Sequence, residues 1–418
     1  MNQEDNEYLT RVGPDTPMGN LLRRYWMPVM LESEVPGPNM PPVASRVMGE
    51  DCLVWRDANG GIGLFQKYCM HRRVSLSLAQ CEGDGLRCIF HGWKFGTSGE
   101  VLEIPNQPDP KLKDRLRAPV YPTKLSGGLL WVYMGPRDHM PVFPHYAFMD
   151  AAEDELYANR IIWNANFVQG IEGNLDSSHI GFLHNDVPFF GARAGQVPAD
   201  TPDTFLWDDN SPKIFVEDHP FGFVVAAVRD GTFNGKESFY GRVHNYIFPF
   251  ATIVPAPGSP IYTGHVPIDD TTTITFNVLY SRAGPLDKQL CGSIFKLPDA
   301  FAEELSPDVQ RYLGSAENNW FQDRSTMDRR FSGLERPISQ DLAALSSRGA
   351  IVDRSKEVTI SSDAAVVRMH RMLIAAARDL ENGIGPPMPS DTESRKLVCG
   401  EGMLEEVSDW SELLEPVG

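Results

Sequence analysis

Cys69-Met-His71-Arg-Arg and Cys88-Ile-Phe-His91-Gly-Trp93 are the two segments that decide the fold of the first half of the chain. Each segment offers one cysteine and one histidine, and residues 72–87 separate the two. Two thiolates and two imidazoles form a mixed donor set of the kind that holds a metal. The sequence therefore predicts a metal site built from two short loops.

The order of the four donors discriminates between two kinds of metal site. Structural zinc also takes thiolate and imidazole ligands, but zinc fingers place two cysteines first and two histidines later. Here each loop carries one residue of each kind. A Rieske-type [2Fe–2S] cluster needs two thiolates on one iron and two imidazoles on the other, so it fits this arrangement better than zinc does. Donors that bind no metal are the least favoured alternative.

The two loops resemble the Rieske domain of the ring-hydroxylating non-heme iron oxygenases. The resemblance implies an all-β domain in which a [2Fe–2S] cluster is held by Cys69, His71, Cys88 and His91. Two positions depart from the usual pattern of that family: Phe90 stands where tyrosine is usual, and Arg73 stands where glycine is usual. Neither difference removes a ligand.

Length and composition exclude several classes of protein. With 418 residues, 42% hydrophobic and 22% charged, the chain is long enough for two domains with ordinary globular composition. Its net charge of −18 argues against nucleic-acid binding, which needs a basic surface. It lacks a run of eighteen apolar residues and an N-terminal signal peptide, so we expect no membrane span and a cytoplasmic location.

The distribution of strand and helix signals predicts an α+β fold with four segments. Residues 1–42 form an N-terminal segment packing on the catalytic domain, and 43–140 form the Rieske domain. Residues 141–383 form a catalytic domain, in which an antiparallel sheet is flanked by helices in a helix-grip-like arrangement, and 384–418 form a C-terminal arm. Residues 13–28 also resemble the N-terminal signature of the phthalate 4,5-dioxygenase branch of the family.

Individual elements follow from periodicity and end signals. Apolar or β-branched runs predict strands at 52–55, 63–65, 128–134, 221–228, 239–248 and 271–280. Helical spacing predicts helices that start at Pro17 after a Thr16 cap, and over 307–318 and 363–380. Ser361 or Ser362 is the expected cap of the last helix.

Asp176-x₂-His179-x₄-His184 is the second candidate metal motif. At about 100° per residue, His179 lies about 60° from Asp176 on a helix, whereas His184 lies about 140° from His179. A straight helix would not bring both imidazoles to one metal, so we predict irregular helix between Ile180 and His184. Two histidines and a carboxylate would form the facial triad of non-heme Fe(II). The alternative is a pair of histidines on a helix without metal.

The resemblance extends to this motif and assigns its residues. It implies that His179 and His184 bind the iron, and that Asp176 is a catalytic bridge between His179 and His91 of the adjacent subunit. Asp341 lies in a stretch similar to the family segment that supplies the third ligand, and we expect it to bind the iron. Other candidate carboxylates are Asp323, Asp328 and Asp353. Asp323 and Asp353 each precede an arginine and are expected to form structural ion pairs.

The substrate pocket is only weakly indicated by the sequence. Aromatic residues near the motif are Trp163, Phe167, Phe182, Phe189 and Phe190, which would line a flat apolar pocket or belong to the core. Candidate cations for a substrate carboxylate are Lys213, Arg229 and Arg242. Ile180, which follows the first ligand histidine, argues against phthalate itself and favours a less polar aromatic or one with a single carboxylate.

The resemblance implies the terminal oxygenase component of a multicomponent system. Such a protein uses O₂ and electrons from NAD(P)H to mono- or dihydroxylate an aromatic compound, or to dealkylate it or cleave its ether. The chain has no Gly-rich dinucleotide fingerprint, so a separate flavin and iron–sulfur reductase is the expected electron donor. The expected assembly is a homotrimer or stacked trimers. The alternatives are a Rieske electron carrier without oxygenase activity and a zinc-stabilised binding protein.

Overall fold

The structure is a computed structural model that describes residues 1–185, 204–255, 259–281, 284–299, 302–306, 308–388 and 399–414. Eleven strands lie before residue 134: β1 Trp26–Leu31, β2 Val43–Val47, β3 Glu50–Arg56, β4 Ile62–Gln66, β5 Gln80–Glu82, β6 Gly85–Arg87, β7 Lys94–Phe95, β8 Val101–Glu103, β9 Val120–Tyr121, β10 Thr123–Ser126 and β11 Leu129–Tyr133. They form three antiparallel sheets in the orders β1-β11-β10, β2-β3-β4-β9 and β5-β6-β7-β8. This is the all-β half that the sequence predicts.

The remaining strands form one large sheet. They are β12 Leu156–Trp163, β13 Lys213–His219, β14 Gly222–Phe233, β15 Lys236–Ile247, β16 Ala251–Val254, β17 Ile261–Asp269, β18 Thr272–Tyr280, β19 Ala302–Ser306, β20 Val309–Tyr312 and β21 Gly400–Leu404. Their order is β13-β14-β15-β16-β17-β18-β12-β20-β19, with β21 on β15. Only the β12–β20 pair is parallel among the described strands. Asn234 and Gly235, both with positive φ, close the long β14–β15 hairpin, as a type I′ turn requires.

Helices cover this sheet and complete the α+β fold. The α-helices are α1 Gln3–Thr10, α2 Pro17–Leu22, α3 Phe167–Leu175, α4 Ile180–Leu183, α5 Phe205–Asp208, α6 Lys288–Phe295, α7 Pro337–Ser346 and α8 Ala364–Glu381. Apolar side chains of α3 and α8, such as Ile171 and Met369, share one core with Val225 and Phe276 of the sheet. The predicted fold class is therefore confirmed. None of the described helices is long and apolar enough to cross a membrane.

Most predicted elements are confirmed, and each difference has a local cause. All six predicted strands are present. The predicted cap of α2 is also present, because the Thr16 hydroxyl accepts a hydrogen bond from the backbone N–H of Gly19. That helix stops at Leu22, because the next apolar residues enter β1. The last helix begins after Asp363 instead of a serine cap, since Ser361–Asp363 forms a separate 3₁₀ turn.

The helix predicted over 307–318 is wrong. Val309–Tyr312 is strand β20, and a 3₁₀ segment follows at Ala316–Phe321. The strand is imposed by tertiary pairing, because β20 adds to the edge of β12. The buried Gln310 side chain also binds the backbone of Phe295 and Leu297, which fixes this edge in place. The four-segment division predicted above stays a prediction.

Arg23 connects the N-terminal segment to β3. Its guanidinium donates to the carbonyls of Val12, Gly19 and Met48 and pairs with Glu50 at 2.8 Å. The side chain is largely buried, so its partners are poorly solvated and depend on the guanidinium.

We expect Arg23→Ala to lower the free energy of unfolding by about 3 kcal/mol, because it removes the cation that pairs with the poorly solvated Glu50 carboxylate and the side-chain donor of the Val12 and Met48 carbonyls. Arg368→Ala is the matched control, since Arg368 forms an exposed pair with Asp218 that is worth little. Denaturant titration monitored by circular dichroism measures both. Equal stabilities of the two variants would contradict this role of Arg23.

Candidate metal centres

The two cluster loops have the same backbone geometry. The backbone N–H of Cys69 donates a hydrogen bond to the carbonyl of Val74, and that of Cys88 donates one to the carbonyl of Trp93, each at 2.9 Å. The backbone N–H groups of Arg73 and Gly92 donate hydrogen bonds to the carbonyls of Cys69 and Cys88, respectively, and so close the two loops. Both closing residues have positive φ, 58° for Arg73 and 74° for Gly92. The family's glycine at the Arg73 position is thus explained: the loop needs a left-handed residue, which costs arginine some strain.

The loops bring the four predicted donors together. Cys69 and Cys88 are buried in one apolar core with Trp93. The rings of His71 and His91 lie 4.7 Å apart, centre to centre, and His71 stacks on Trp93 at 4.8 Å. Burial raises the pKa of the Cys69 thiol to about 11; the His71 amide lowers that pKa and nearby Cys88 raises it further.

This arrangement fits a Rieske cluster on two structural grounds. The two sulfurs lie inside and the two imidazoles lie nearer the surface, so a cluster held there would have one protected and one exposed iron. The Nδ1 atom of His91 is buried, and none of the described groups forms a hydrogen bond with it. A buried nitrogen of this kind is costly unless a ligand binds it.

Asp176, His179 and His184 lie at the joint between α3 and α4. Asp176 is the C-terminal cap of α3, and its extended backbone breaks the helix there. The irregularity predicted between Ile180 and His184 is wrong: residues 180–183 form one regular turn, with His179 before it and His184 after it. Because the histidines flank a single turn, their side chains converge without any widening of the helix, and their ring centres lie 5.1 Å apart.

Gly181 serves close packing instead of a helix break. A Cβ atom at this position would lie 1.9 Å from the Asn210 side chain and 2.7 Å from the carbonyl of Leu206. Helix α4 can therefore approach α5 only if residue 181 is glycine.

Asp341 of α7 completes a group of three donors. One of its carboxylate oxygens lies 3.1 Å from Nε2 of His184 and 3.6 Å from Nε2 of His179. All three donor atoms lie within 4.8 Å of one another. Ligand atoms at about 2.1 Å from a metal and at right angles to each other are roughly 3 Å apart, so the spacing fits a facial triad. Burial raises the pKa of Asp341, but the charges of His184 and His179 more than offset this, and the pKa is lowered.

The rival carboxylates have local roles elsewhere. Asp323 and Asp353 each cap a 3₁₀ turn by accepting the amide of the serine two residues later, and Asp328 is exposed. The two predicted Asp–Arg pairs with the next residue are wrong. Asp353 pairs with Lys356, and no salt bridge of Asp323 occurs within the described ranges.

Arg354 pairs instead with Glu172 of α3, a feature that the sequence did not reveal. The buried Glu172 carboxylate contacts Arg354 at 2.6 Å, Arg348 at 2.8 Å and His370 of α8 at 2.7 Å. Burial alone would raise the pKa of Glu172, but Arg354, His370 and Arg348 hold it well below its usual range. This cluster fixes α3 one turn before Asp176.

Gln340 is a second functional residue that sequence reasoning missed. Its amide nitrogen donates to Ser332 Oγ and the Leu334 carbonyl, so Oε1 points to His184 and accepts from Nδ1 at 2.7 Å. That bond places the proton of His184 on Nδ1 and leaves the Nε2 lone pair facing Asp341. Its position directly before Asp341 was the only available signal.

Asp176 orients the other histidine and faces outward. One carboxylate oxygen lies 3.5 Å from Nδ1 of His179, while the other accepts from the amide and hydroxyl of Ser178. Burial opposes ionisation of Asp176, but His179 and Ser178 lower its pKa below the usual range. The side chain is 31% exposed and lines an open cavity of about 390 Å³, whose described walls include no residue of the cluster loops.

A second cavity, of about 160 Å³, lies on the inner side of the triad. His184 and Asp341 form part of its wall, and Trp163 and Leu345 are among its apolar lining residues. Of the other predicted aromatics, Phe167 is in the core and Phe182 is exposed, while Phe189 and Phe190 lie outside the described residues.

None of the three candidate cations belongs to the described wall of this cavity. Lys213 pairs with Asp230 at the surface. Arg229 is buried against Ser177 and the Asp209 carbonyl, and Arg242 pairs with Glu401.

Comparisons with known proteins agree with this architecture. The Rieske [2Fe-2S] domain family matches residues 25–122, and the family described as LigXa C-terminal domain like matches residues 132–415. The phthalate 4,5-dioxygenase oxygenase subunit of Pseudomonas putida is 34% identical over 91% of this chain and 87% of its own length. The 3-chlorobenzoate-3,4-dioxygenase oxygenase subunit of Comamonas testosteroni is 33% identical over 92% of this chain and 90% of its own length.

Solved structures support the same fold. NdmA of Pseudomonas putida CBB5 with caffeine superposes with a TM-score of 0.60 at 17% identity, over 90% of this chain and 99% of that one. The terminal oxygenase of carbazole 1,9a-dioxygenase from Novosphingobium sp. KA1 superposes with a TM-score of 0.57 at 19% identity, over 89% of this chain and 98% of that one.

A Rieske domain joined to a domain with a two-histidine, one-carboxylate site defines the oxygenase component of a Rieske non-heme iron system. This chain belongs to that family, in the branch with a LigXa-like C-terminal domain. It accordingly uses a Rieske [2Fe–2S] cluster, a mononuclear Fe(II) and O₂, and it depends on a separate electron-donating protein. A pure electron carrier is not favoured.

We expect Gln340→Leu to weaken retention of the mononuclear iron by about 10- to 100-fold, because His184 loses the acceptor that fixes its tautomer. The iron content after dialysis against a chelator measures this, and the visible spectrum of the cluster should not change. Gln289→Leu, at an exposed position of α6, is the control. Full iron retention by the Gln340 variant would rule out this role.

Proposed function

We propose that this chain oxygenates a single-ring aromatic compound, either by hydroxylating it or by removing an alkyl or aryl group from its ether or amine. The observation that carries the proposal is the inner cavity, because the triad forms part of its wall. A cavity of about 150 Å³ lined by apolar side chains is known to hold benzene, so 160 Å³ suits one ring. The named relatives act on phthalate and 3-chlorobenzoate, and a 29% identical Sphingobium relative is a 5,5'-dehydrodivanillate O-demethylase subunit.

We assign the roles of the site residues as follows. Cys69, His71, Cys88 and His91 would hold the cluster, which would supply single electrons; His179, His184 and Asp341 would hold the Fe(II), which would supply the O₂ chemistry. Gln340 accepts the Nδ1 proton of His184, and the Asp176 carboxylate faces Nδ1 of His179 at 3.5 Å, so each holds its histidine with Nε2 free to bind a metal. The apolar cavity wall positions the ring and limits the entry of water.

We further propose that the two iron sites which work together belong to different subunits. In one chain the cluster loops contribute nothing to the described surroundings of Asp176. The loop tip carries Ile89 and Phe90, 61% and 56% exposed, next to His91. The rim of the outer cavity carries Val358, 88% exposed. Exposed apolar side chains at both places are consistent with a contact between the loop tip of one subunit and the outer cavity of the next.

The symmetry of such a contact favours a closed ring. The loop tip and the outer cavity are different surfaces, so the contact is heterologous, and a heterologous contact that closes gives a cyclic assembly. A homotrimer is the assembly we propose. In it Asp176 accepts hydrogen bonds from His179 and from His91 of the partner subunit, which would join the two sites by a short connection. A cytoplasmic location also stays a prediction.

We expect Asp176→Asn to leave both metals bound and to slow oxidation of the cluster at least about 100-fold, because an amide cannot accept both imidazole protons as a carboxylate can. The protein is reduced with dithionite, mixed with O₂, and followed by stopped-flow absorbance. Asp353→Asn, in an exposed turn cap, is the control. A wild-type rate in the Asp176 variant would refute the bridging role.

Phe90→Asp should dissociate the trimer, because it places a charge at the apolar loop tip. Light scattering after size-exclusion chromatography measures the mass, and an unchanged visible spectrum shows that the cluster is retained. Val142→Asp, at a position that is 78% exposed, should leave the assembly intact. If the Phe90 variant has the mass of the wild type, the loop tip is not the interface.

A further inference from the structure

His265 of β17 lines the inner cavity together with residues of α7 and is not one of the three triad donors. Ile261, Thr263 and His265 are spaced two residues apart and line the cavity together, as one face of a strand does. The imidazole is 4% exposed. Helix α3 packs directly on it, because a Cβ at Gly170 would lie 2.3 Å from Nδ1. The structure therefore holds this ring in one position.

A chain of hydrogen bonds fixes the proton of His265. The indole of Trp163 can only donate, and it donates to Oγ1 of Thr275 at 2.8 Å. Nδ1 of His265 lies 3.1 Å from the same Oγ1. Thr275 has no other hydrogen-bond partner for its hydroxyl proton among the described residues, so that proton goes to Nδ1. The imidazole proton is then on Nε2.

Nε2 of His265 is a donor without a partner among the described groups, on a side chain that lines the cavity. It is buried and makes no hydrogen bond with any described group. Burial lowers the pKa of His265 to about 3, so the ring is neutral at physiological pH and offers an N–H group without positive charge. A buried donor left unsatisfied is costly, and a ligand oxygen would remove that cost.

The surroundings of His265 specify which oxygen fits. The cavity walls contain Trp163, Ile261, Phe295 and Leu342, which suit an aromatic ring. Asp341 is the only charged side chain among the described lining residues, and there is no lysine or arginine among them. A carboxylate at the His265 end of the cavity would find no lysine or arginine among these described residues to pair with, which is unfavourable. A neutral acceptor avoids that penalty.

We propose that His265 determines substrate specificity by donating a hydrogen bond from Nε2 to a neutral acceptor oxygen, a carbonyl or ether, on the aromatic substrate. The substrate class is thus a neutral aryl ketone or ether, and a free carboxylate at that position is disfavoured. This inference rests on the proposed function, because it assigns the inner cavity to the substrate. A neutral substrate would differ from the aromatic acids after which two of the relatives are named.

Isothermal titration of the iron-loaded protein with three probes tests this. Acetophenone carries the carbonyl, α-methylstyrene has the same shape without an oxygen, and benzoate carries the charge. We expect the wild type to bind acetophenone about 10-fold more tightly than either of the others. His265→Phe should abolish the preference over α-methylstyrene, whereas His265→Gln, which keeps an N–H donor, should retain most of it.

Two further variants separate the hydrogen bond from a general packing effect. Thr275→Val removes the group that fixes the tautomer, so the preference should fall although the cavity keeps its shape. Thr263→Val is the matched control, because Thr263 lines the same cavity but its hydroxyl already has Asn277 as a partner at 3.4 Å. Its preference should stay within about 2-fold of the wild type.

The experiment distinguishes failure of the role of His265 from failure of the proposed function. An unchanged preference in His265→Phe, tighter binding of benzoate than of acetophenone, or no binding of any probe by fully iron-loaded protein would overturn the role of His265. Iron and labile sulfide are measured on every preparation. A wild-type chain that lacks them after reconstitution would instead overturn the oxygenase assignment.

Discussion

The ion cluster around Glu172 is the interaction on which the rest of the catalytic half depends. One buried carboxylate is held by Arg354 and Arg348, which come from the segment after α7, and by His370 of α8. These contacts fix α3 between the large sheet and two other parts of the chain. Removing either arginine would leave the buried carboxylate with incomplete charge compensation, which is more costly than losing a surface pair.

In that position α3 contributes residues next to both cavities. Its inner face has Gly170 against the imidazole of His265. Its outer face carries Glu172 and Gly173 in the wall of the larger cavity, and its end is Asp176. The triad lies between the two spaces, so the proposed substrate approaches from one side and the proposed partner subunit from the other. A small shift of α3 would therefore disturb substrate orientation and electron entry together.

Local patterns in the sequence were sufficient for the donors and for the fold class. The cysteine–histidine pairs, the spacing of His179 and His184, and the segment around Asp341 all act through short-range chemistry that can be recognised in one dimension. Strong β-branched runs such as 271–280 likewise predicted their strands correctly. The donors come together in the structure as expected, although their roles as ligands stay predictions.

The missed features all depend on contacts that are distant in sequence. Val309–Tyr312 has helix-like surroundings in the sequence, but pairing with β12 makes it a strand. Arg354 was assigned to its neighbour Asp353, whereas its partner Glu172 lies 182 residues away. His265 gave only the weak signal of a single histidine in a buried strand. Its significance follows from Trp163 and Thr275, which the fold alone brings to it.

The central claim is that a cluster in one subunit serves the iron of the next, and assemblies mixed from two defective chains test it most directly. Cys88→Ser chains lack the cluster, and His184→Ala chains lack the mononuclear iron. Assemblies of either variant alone should show no rapid oxidation of a reduced cluster by O₂. Co-expressed chains with two different tags, purified through both, should recover the rapid phase, because intact clusters then lie beside intact iron sites. Mixed assemblies as slow as assemblies of His184→Ala chains alone would contradict the account.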